Sequence, residues 1–512
     1  MNNSASPHSI LFLVALFAIV PSLAQAGDAV DSRLTFALGD GNVLTGPDAD
    51  ANASPSLPNA IPSQGQRLFF DDYEGRDTPF DNLTHFVLYM PEPGYFEGVD
   101  TEAGLVLRAR LLNERGVDLR DDGSYIKVTK ALGARELAIT AFPISANRFR
   151  LGYSYDLSWG GSAIFPHSEA APGLRVELNG PTASFFLGAK TGLGQVNMPD
   201  NTVEQDTLWG VLGGGSFDLS KELRFEFGGG FFHRGTIDKP DLLIREEGKV
   251  NVAPWQGFGG SAQITYHVGT DIGVPIDFRL LKNDPAAVSE QLQPVSYEDD
   301  VSFTLQSEFS ALGQTVQDIN QPHTTTVQPA LAADLSAQLK IRTMRFHALL
   351  VYRDLAYILY NVPSLTPFVD FPSGMRKEPE IFARLAFDYY IPDYYFTPGV
   401  AFGVSRPANA TGVPSLSSDS SPALGQQTLV IFDHDEFQPI NPGESVELVY
   451  AAKLTMKWQL SDAMNFLGDL SFSYDPNRRA FNQSSDGVVT YQSRSRQDPN
   501  IVGFNLMMQA KF

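Results

Sequence analysis

Cysteine is absent from this chain of 512 residues, and basic residues are scarce relative to acidic ones. Without cysteine there is neither a disulfide scaffold nor a metal site built on thiolates, and the chain suits export through an oxidising compartment. The 37 Lys and Arg residues stand against 59 Asp and Glu residues, which gives a formal net charge of −22. Because phosphate backbones repel so acidic a chain, no nucleic acid is expected as a partner.

Long hydrophobic runs are also missing, apart from one near the N-terminus. Residues 10–20 form an apolar run too short to span a bilayer, and the small-x-small triplet at 24–26 supplies a cleavage pattern. We therefore predict a signal peptide over 1–26 and a mature chain that begins near Gly27, although the leading segment carries His8 and no Lys or Arg. The alternative is a buried core helix. No later run approaches the roughly twenty apolar residues of a membrane helix, so any later membrane segment is predicted to be a β-strand.

The last twelve residues alternate between apolar and mostly polar side chains. A period of two over a whole strand places one face against an apolar environment and the other against water. The pattern over 501–512 resembles the C-terminal strand of bacterial outer-membrane β-barrels. This resemblance implies recognition by the barrel-assembly machinery. The residues implied in the assembly signal are Phe504, Leu506, Met508, Ala510 and Phe512.

The same alternation recurs along the chain. Clear cases lie at 147–159, 223–231 and 445–459, and the apolar face of the first runs from Phe149 to Trp159. Segments of about 8 to 13 residues suit tilted membrane strands of roughly 9 to 11 residues better than the shorter strands of a soluble sheet. Further candidate strands lie at 83–90, 104–111, 173–179, 301–309, 335–342, 343–353, 381–391, 396–404 and 465–474.

Two features favour a closed barrel over the alternative of a soluble β-sandwich. Aromatic residues, Trp159 and Trp458 among them, stand at the limits of the apolar faces, as an interfacial girdle requires. The gaps are unequal, since short ones such as 392–393 and 461–463 indicate periplasmic turns and long polar ones indicate outward loops. Lipid offers no hydrogen-bond partner to an open sheet edge, so the sheet is predicted to close. The long gaps are 40–66, 284–299, 361–379, 406–426 and 475–499.

The predicted fold is therefore all-β, a transmembrane antiparallel β-barrel of about 18 strands, within a range of about 16 to 20. It occupies residues 27–512 as one domain, and the strand number should be even because both ends of such a chain face the periplasm. Between 335–342 and 343–353 the apolar residues change from odd-numbered to even-numbered positions, and no Gly or Pro marks a turn there. A turn explains this flip, and so does a bulge inside one long strand.

Metal-binding and nucleotide-binding patterns fail on inspection. In the segment 40–66, Asp48, Asp50 and Asn52 have the spacing with which a calcium loop begins, but Ala53 stands where such a loop needs Gly. We predict a flexible surface loop there, with a fold into the lumen left open. The triplet 192–194 begins a dinucleotide fingerprint without a following helix, and it is interpreted as a turn. No metal site and no cofactor are predicted.

One cluster has plausible chemistry. The sequence Asp433-His434-Asp435-Glu436 sets carboxylates beside an imidazole, a combination that activates a water or holds a divalent ion. A single His among acids at the junction of a strand and a loop is more often a solvated rim. We therefore predict that the protein is not an enzyme, and keep a barrel-borne hydrolase centred on His434 as an alternative.

Basic residues collect on the polar faces of the predicted strands. Where the phase is clear, fourteen Lys and Arg residues share those faces with seven Asp and Glu residues. Charged side chains are costly against lipid, so they are predicted to line water, where a surplus of cations favours anions in transit. The alternative is that these cations pair with acids and stiffen the barrel. The predicted lumen-lining basic residues are Arg108, Arg110, Arg148, Arg150, Arg175, Arg224, Arg342, Arg345, Arg384, Lys453 and Lys457.

The early segments 33–44, 69–72 and 82–89 are similar to a group of exported barrels of myxobacteria-like Gram-negative bacteria. That likeness covers the first third of the chain and implies a location without an established activity. Taken together, the patterns predict an outer-membrane, porin-like channel for passive diffusion of small solutes, with anions preferred. Its expected surroundings are outer-membrane lipid and lipopolysaccharide. A structural or adhesive barrel with a plugged lumen is a further alternative.

Overall fold

A computed structural model gives the fold of the chain. The predicted signal peptide, the calcium-like positions of the early loop and the terminal Phe512 lie outside the residues that it describes. Among those residues, no helix has the length and hydropathy of a membrane-spanning helix. The described residues are 31–40, 43–44, 80–93, 95–112, 116–121, 123–146, 149–154, 157–161, 164–165, 170–197, 203–236, 244–246, 249–251, 253–270, 301–321, 323–360, 370–371, 374–413, 427–433, 436–440, 444–478 and 498–511.

Eighteen strands form one antiparallel sheet that makes up the wall of the molecule. Each strand pairs with the strand before it and the strand after it along the chain. The wall strands are β1 Asp31–Asp40, β2 Phe80–Pro93, β3 Val99–Leu112, β4 in two segments (Gly116–Asp121 and Tyr125–Leu132), β5 Arg135–Phe142, β6 Gly173–Asn179, β7 Ala183–Asn197, β8 Val203–Asp218, β9 Leu223–Thr236, β10 Pro254–Val268, β11 Val301–Gln317, β12 Thr325–Ile341, β13 Met344–Arg353, β14 Glu380–Tyr389, β15 Phe396–Arg406, β16 Val449–Ser461, β17 Met464–Tyr474 and β18 Asn500–Lys511.

The sheet closes on itself because β1 pairs with both β2 and β18. The seam between the first and last strands runs from Arg33 opposite Lys511 to Asp40 opposite Phe504. Closure gives the edge groups of both strands a partner, which an open sheet in an apolar environment lacks. The prediction of an all-β antiparallel barrel of about 18 strands is therefore confirmed.

One wall strand, β4, is interrupted. Both of its segments pair with β3, and between them the carboxylate of Asp121 accepts hydrogen bonds from the N–H groups of Gly123 (3.2 Å) and Ser124 (3.1 Å). Gly123 has a φ of 103°, a conformation that favours glycine. The Ser124 hydroxyl accepts a hydrogen bond from the N–H of Val106 at 2.9 Å, so a side chain bridges the gap in the ladder.

Side chains alternate between the outside of the ring and its lumen. In β18, Asn505 and Gln509 are buried inside the ring while Met508 is exposed on its outside. In β16, Lys453 is buried inside and Leu454 is 57% exposed outside. The ring thus presents apolar side chains outward and many polar side chains inward, which is the arrangement expected of a barrel in lipid.

A tight turn joins β12 to β13. Ile341 pairs with Met344, and the two residues between them are Arg342, which has a φ of 53°, and Thr343. The phase flip in the sequence is therefore a turn and not a bulge. Because Arg342 is exposed in this turn, its predicted place in the lumen is wrong.

The two ends of the barrel differ, and we call them the turn end and the loop end. Short turns such as 133–134, 342–343 and 462–463 join strands at the turn end. Four of the predicted long loops lie in connections at the loop end, but 284–299 lies between β10 and β11, which both meet the turn end there. The prediction that 284–299 is a loop on the side opposite the turns is therefore wrong. The end at which a connection lies depends on whether an odd or an even number of strands precedes it, and the sequence pattern did not establish that number.

At the loop end a short helix and a small sheet cover part of the barrel. The helix α1, Leu355–Tyr360, is capped by Asp354, whose carboxylate accepts the N–H of Tyr357 at 2.7 Å. Leu355 and Ile358 pack against the small sheet in an apolar cluster. The four strands of this sheet are Arg376–Glu378, Ala408–Val413, Gln427–Asp433 and Glu436–Ile440, and a separate hairpin pairs Ile244–Glu246 with Lys249–Asn251.

Candidate functional site

The lumen is the candidate functional site, and one connection runs into it. We call the residues between β5 and β6, 143–172, the inserted segment. Its described residues contact inward side chains of β7, β9, β10 and β11. Isolated bridges join Leu151 to Trp159 and Ser145 to Ala171, and the described residues of the segment form no ladder with the wall. The prediction that 147–159 forms a wall strand is therefore wrong.

The apolar face of the inserted segment packs inside the barrel. Phe149, Leu157 and Trp159 are 0% exposed, and all three lie inside the barrel. Trp159 is thus a core residue, and its predicted place in an interfacial girdle is wrong, whereas Trp458 does lie outside at 47% exposure. The segment's apolar partners on the wall are Leu208, Leu212, Phe232, Leu312, Leu349, Val351 and Phe382.

Inward-facing glycines make room for the inserted segment. A Cβ atom on Gly188 would lie 2.5 Å from the ring of Phe149, and one on Gly228 or Gly230 would lie 2.8 Å from the side chain of Leu151. Such separations are well inside ordinary carbon contact distances, so only residues without a side chain fit. The glycine-rich runs of β7 to β9 are the feature of the sequence that indicates this packing site. The triplet 192–194, interpreted as a turn from the sequence, lies within β7.

Lys190 on β7 holds the start of the inserted segment by its backbone. Its Nζ donates hydrogen bonds to the carbonyl oxygens of Ala146 (2.9 Å) and Gly160 (2.8 Å), and also to that of Phe149. A lysine ammonium has three donors. All three therefore have a carbonyl partner on the segment, and the side chain is 2% exposed.

Arg234 on β9 holds the second half of the segment. Its Nε donates to the carbonyl oxygen of Ile164 at 2.7 Å, and its guanidinium lies 3.5 Å from the ring centroid of Trp255. Nearby, the indole Nε1 of Trp159 donates to Ser261 Oγ at 2.8 Å. The wall therefore meets both polar backbone and polar side-chain groups of the segment, as burial requires.

Glu308 on β11 supplies the complementary hydrogen-bond acceptor. Its carboxyl group accepts hydrogen bonds from the backbone N–H groups of Tyr153 (3.0 Å) and Ser154. Two buried donors of the segment therefore have a partner on the wall. Burial, followed by the charges of Glu226 and Glu308, raises the pKa of the Tyr153 hydroxyl, so this side chain stays neutral.

Helix α1 closes the segment from the loop end. The hydroxyl of Tyr357 donates a hydrogen bond to the carbonyl oxygen of Leu157. Burial is the main cause that raises the pKa of Tyr357, so the hydroxyl keeps its proton and remains a donor. The inserted segment is thus contacted by the wall and by a loop-end helix.

The structure places most, but not all, of the predicted basic residues toward the lumen. Arg150 lies on the inserted segment and donates to the carbonyl oxygen of Ser158 at 2.9 Å. Arg148 and the side chain of Arg110 lie outside the described part of the chain. The predicted basic residues that face inward from wall strands are Arg108, Arg175, Arg224, Arg345, Arg384, Lys453 and Lys457.

Several of these cations pair with acids on the wall. Arg175 lies 2.6 Å from Glu177, Arg224 lies 2.6 Å from Asp218, and Arg345 lies 2.6 Å from Asp388. Lys453 lies 3.4 Å from Asp469, and Arg353 lies 2.6 Å from Glu380. The pairs that join two strands, such as Arg224 with Asp218 and Arg345 with Asp388, stiffen the wall, which is the alternative role that the sequence left open.

Arg384 contacts a neutral side chain, that of His347. Its guanidinium lies 2.9 Å from Nδ1 of His347, and Nε2 of the same ring lies 3.1 Å from Ser336 Oγ. Because a guanidinium is only a donor, Nδ1 accepts and Nε2 carries the proton. These three residues lie on β14, β13 and β12 and form a polar strip across the lumen wall.

Several sequence candidates are distant from this site. Phe504, Leu506, Met508 and Ala510 face outward from β18, while Phe512 lies outside the described residues. His434, the predicted centre of the alternative hydrolase, also lies outside them. Within the described ranges, no three His, Asp or Glu side chains come together as metal ligands. Sequence reasoning missed Lys190, Arg234 and the role of Glu308, because their partners lie far away along the chain.

No protein-family model and no curated protein matches this chain. Several solved structures align with it along most of its length. Acinetobacter baumannii OccAB3 aligns with 10% identity and a TM-score of 0.44 over 95% of this chain and 100% of that chain. Pseudomonas aeruginosa OprD aligns with 10% identity and a TM-score of 0.40 over 94% of each chain. Pseudomonas aeruginosa OpdQ aligns with 8% identity and a TM-score of 0.39 over 94% of this chain and 97% of that chain. A likeness this distant carries no assignment of function to this chain.

Proposed function

We propose that the protein is an outer-membrane channel for passive diffusion of small solutes, with a lumen narrowed by the inserted segment. The observation that carries this proposal is the closed ring of 18 strands with apolar side chains outside and charged side chains inside. A charged side chain is stable in such a ring where water or an opposite charge meets it. A lipid-facing exterior and a polar interior together favour a water-filled path across a bilayer.

The outer membrane is the proposed location, with its lipid and lipopolysaccharide around the wall. Support comes from the outward side chains at the two ends of the strands, where Trp458 and Tyr395 lie exposed near the turn end and Tyr474 near the loop end. Aromatic residues of this kind are typical of membrane interfaces. The outward residues of β18 are proposed as the signal for the assembly machinery, as the resemblance of its sequence implies.

A preference for anions is the finer part of the proposal. It is supported by the inward position of Arg108, Arg384 and Lys457. It is opposed by the ion pairs of Arg224 and Arg345, which lower the net field of the wall. We therefore propose a modest anion preference, set by the part of the wall that includes the strip around Arg384.

A plugged structural barrel is the second candidate function. It is favoured by one observation, the complete burial of Phe149, Leu157 and Trp159 inside the lumen. A segment packed this tightly is a constriction if a path remains beside it and a plug if none does. The same measurement separates the two functions.

The decisive experiment is conductance of the purified protein in a planar lipid bilayer. Migration on a gel that changes on heating serves as the check that the barrel is folded. Stepwise single-channel currents, with a reversal potential that indicates anions across a salt gradient, are expected. A folded protein that carries no current at any voltage would refute the channel and leave the plugged barrel.

A further inference from the structure

We propose that Lys190, Arg234 and Glu308 act together as a clamp that positions the inserted segment and thereby sets the width of the lumen. The inference rests on the channel proposed above and names the residues that regulate it. All three side chains project inward from wall strands, and all three are buried. The segment is therefore docked on charges that belong to the wall.

The hydrogen bonds of the clamp described above go to the backbone of the segment. Lys190 donates to three carbonyl oxygens, Arg234 donates to the carbonyl oxygen of Ile164, and Glu308 accepts two N–H groups. Peptide groups that are buried away from water need hydrogen-bond partners. The clamp supplies such partners to described residues of the segment that form no ladder with the wall.

The members of the clamp match the polarity of the groups they meet. The cations Lys190 and Arg234 donate charge-assisted hydrogen bonds to carbonyl oxygens, and Glu308 offers acceptor oxygens to N–H groups. Removing one member leaves buried peptide groups without their partner and weakens docking more than the loss of one neutral bond would. A single substitution is therefore expected to shift the segment out of its seat.

The seat is specific, because its apolar part also fits the segment. Leu151 lies over Gly228 and Gly230, and Phe149 lies over Gly188, at separations that exclude any larger residue. The clamp holds the backbone while the glycines receive the side chains. Both features occur on β7 to β11, so this part of the wall both bonds and seats the segment.

The test is thiol labelling of a single introduced cysteine in the intact barrel, which is clean because the natural chain has none. The reporter is Ser158→Cys, at a residue that is buried beside Trp159. An exposed turn residue, Asn320→Cys, is the positive control. A charged, membrane-impermeant maleimide is the probe.

The clamp variants are Lys190→Met and Glu308→Leu, and the matched control is Lys340→Met. Lys340 is also a buried, inward lysine, but it lies two residues from the turn between β12 and β13, at the turn end. We expect protection of the reporter in the parent and in Lys340→Met, and loss of protection with higher single-channel conductance in both clamp variants. Glu308→Leu keeps a side chain of similar size but removes both acceptor oxygens, so it tests the two hydrogen bonds even if Lys190→Met fails to fold.

The clamp is refuted if Glu308→Leu folds, shows gel migration that changes on heating, and leaves the reporter as protected as in the parent. Failure of the channel looks different. In that case the parent carries no current, while loss of protection in the clamp variants still supports the clamp. Conducting parent protein with unchanged labelling in folded variants refutes the clamp and leaves the channel.

Discussion

Replacement of Trp159 by alanine should release the inserted segment while the wall of the barrel stays folded. The indole is 0% exposed, its ring centroid lies 5.8 Å from that of Phe232, and its Nε1 donates to Ser261 Oγ at 2.8 Å. Alanine removes the ring contact and leaves the hydroxyl of Ser261 with one donor fewer. The loss falls on the docking of the segment, because each wall strand is paired on both sides independently of it.

The expected magnitude follows from the size of the side chain. Truncation of a buried Trp to Ala costs about 3–5 kcal/mol. Since each 1.4 kcal/mol is a factor of ten, the equilibrium between docked and released segment should shift by about 10² to 10³. Trp159→Phe keeps a ring against Phe232 and loses the indole N–H, so it should have a smaller effect.

The assay is the labelling rate of a cysteine in the intact barrel. Ala146→Cys is a suitable reporter, because Ala146 is fully buried and is not a sequence neighbour of Trp159. When local opening limits access, the labelling rate follows the population of the open form, so the rate should rise by about 10² to 10³. Trp458→Ala, which removes an outward Trp, is the control and should leave the rate unchanged.

An increase of less than about tenfold in Trp159→Ala, in protein that still shows gel migration that changes on heating, would contradict the reasoning. It would mean that backbone contacts to the wall hold the segment without help from its apolar face. Release accompanied by loss of the folded barrel would also contradict it, since the wall would then depend on the segment.

Three further predictions concern the wall. Lys453→Met should lower the free energy of unfolding in urea by about 3–5 kcal/mol, because it leaves Asp469 buried beside an apolar group, and Lys453→Met combined with Asp469→Leu should recover much of that loss. Leu454→Arg, on the outward face of the same strand, should destabilise the barrel in lipid vesicles by about 2–4 kcal/mol, and equal stability with the parent would argue against a lipid-facing exterior. Arg384→Gln should move the reversal potential toward that of an unselective channel. Arg342→Gln, in the exposed turn, is the control and should leave the reversal potential unchanged. Identical shifts in the two variants would show that the strip around Arg384 does not set the ion selectivity.

The class of fold was readable from the sequence because its determinant is local. A strand between lipid and lumen must alternate with a period of two, and β18 shows that alternation in its own residues. The turn between β16 and β17 was also predicted from a local feature, the short gap at 461–463. Closure follows from physics, since an edge in lipid has no partner. Strand number was predicted from length alone and agrees with the structure.

The inserted segment shows where local reasoning stops. Residues 147–159 alternate as well as β18 does, but an alternating pattern states that two environments exist and does not name them. Phe149 and Trp159 meet an apolar cluster inside the barrel, whereas Met508 lies on the outer face. Both locations satisfy the same apolar side chains.

The sequence by itself therefore determined the barrel, because the alternation of each strand and the cost of an open edge are properties of the chain and its surroundings. Only the tertiary structure decided what fills the lumen. The contact of Glu308 with Tyr153 joins residues 155 positions apart, and that of Lys190 with Phe149 joins residues 41 apart. Such contacts depend on which strands close around which loop, and closure brings them together without leaving a local pattern.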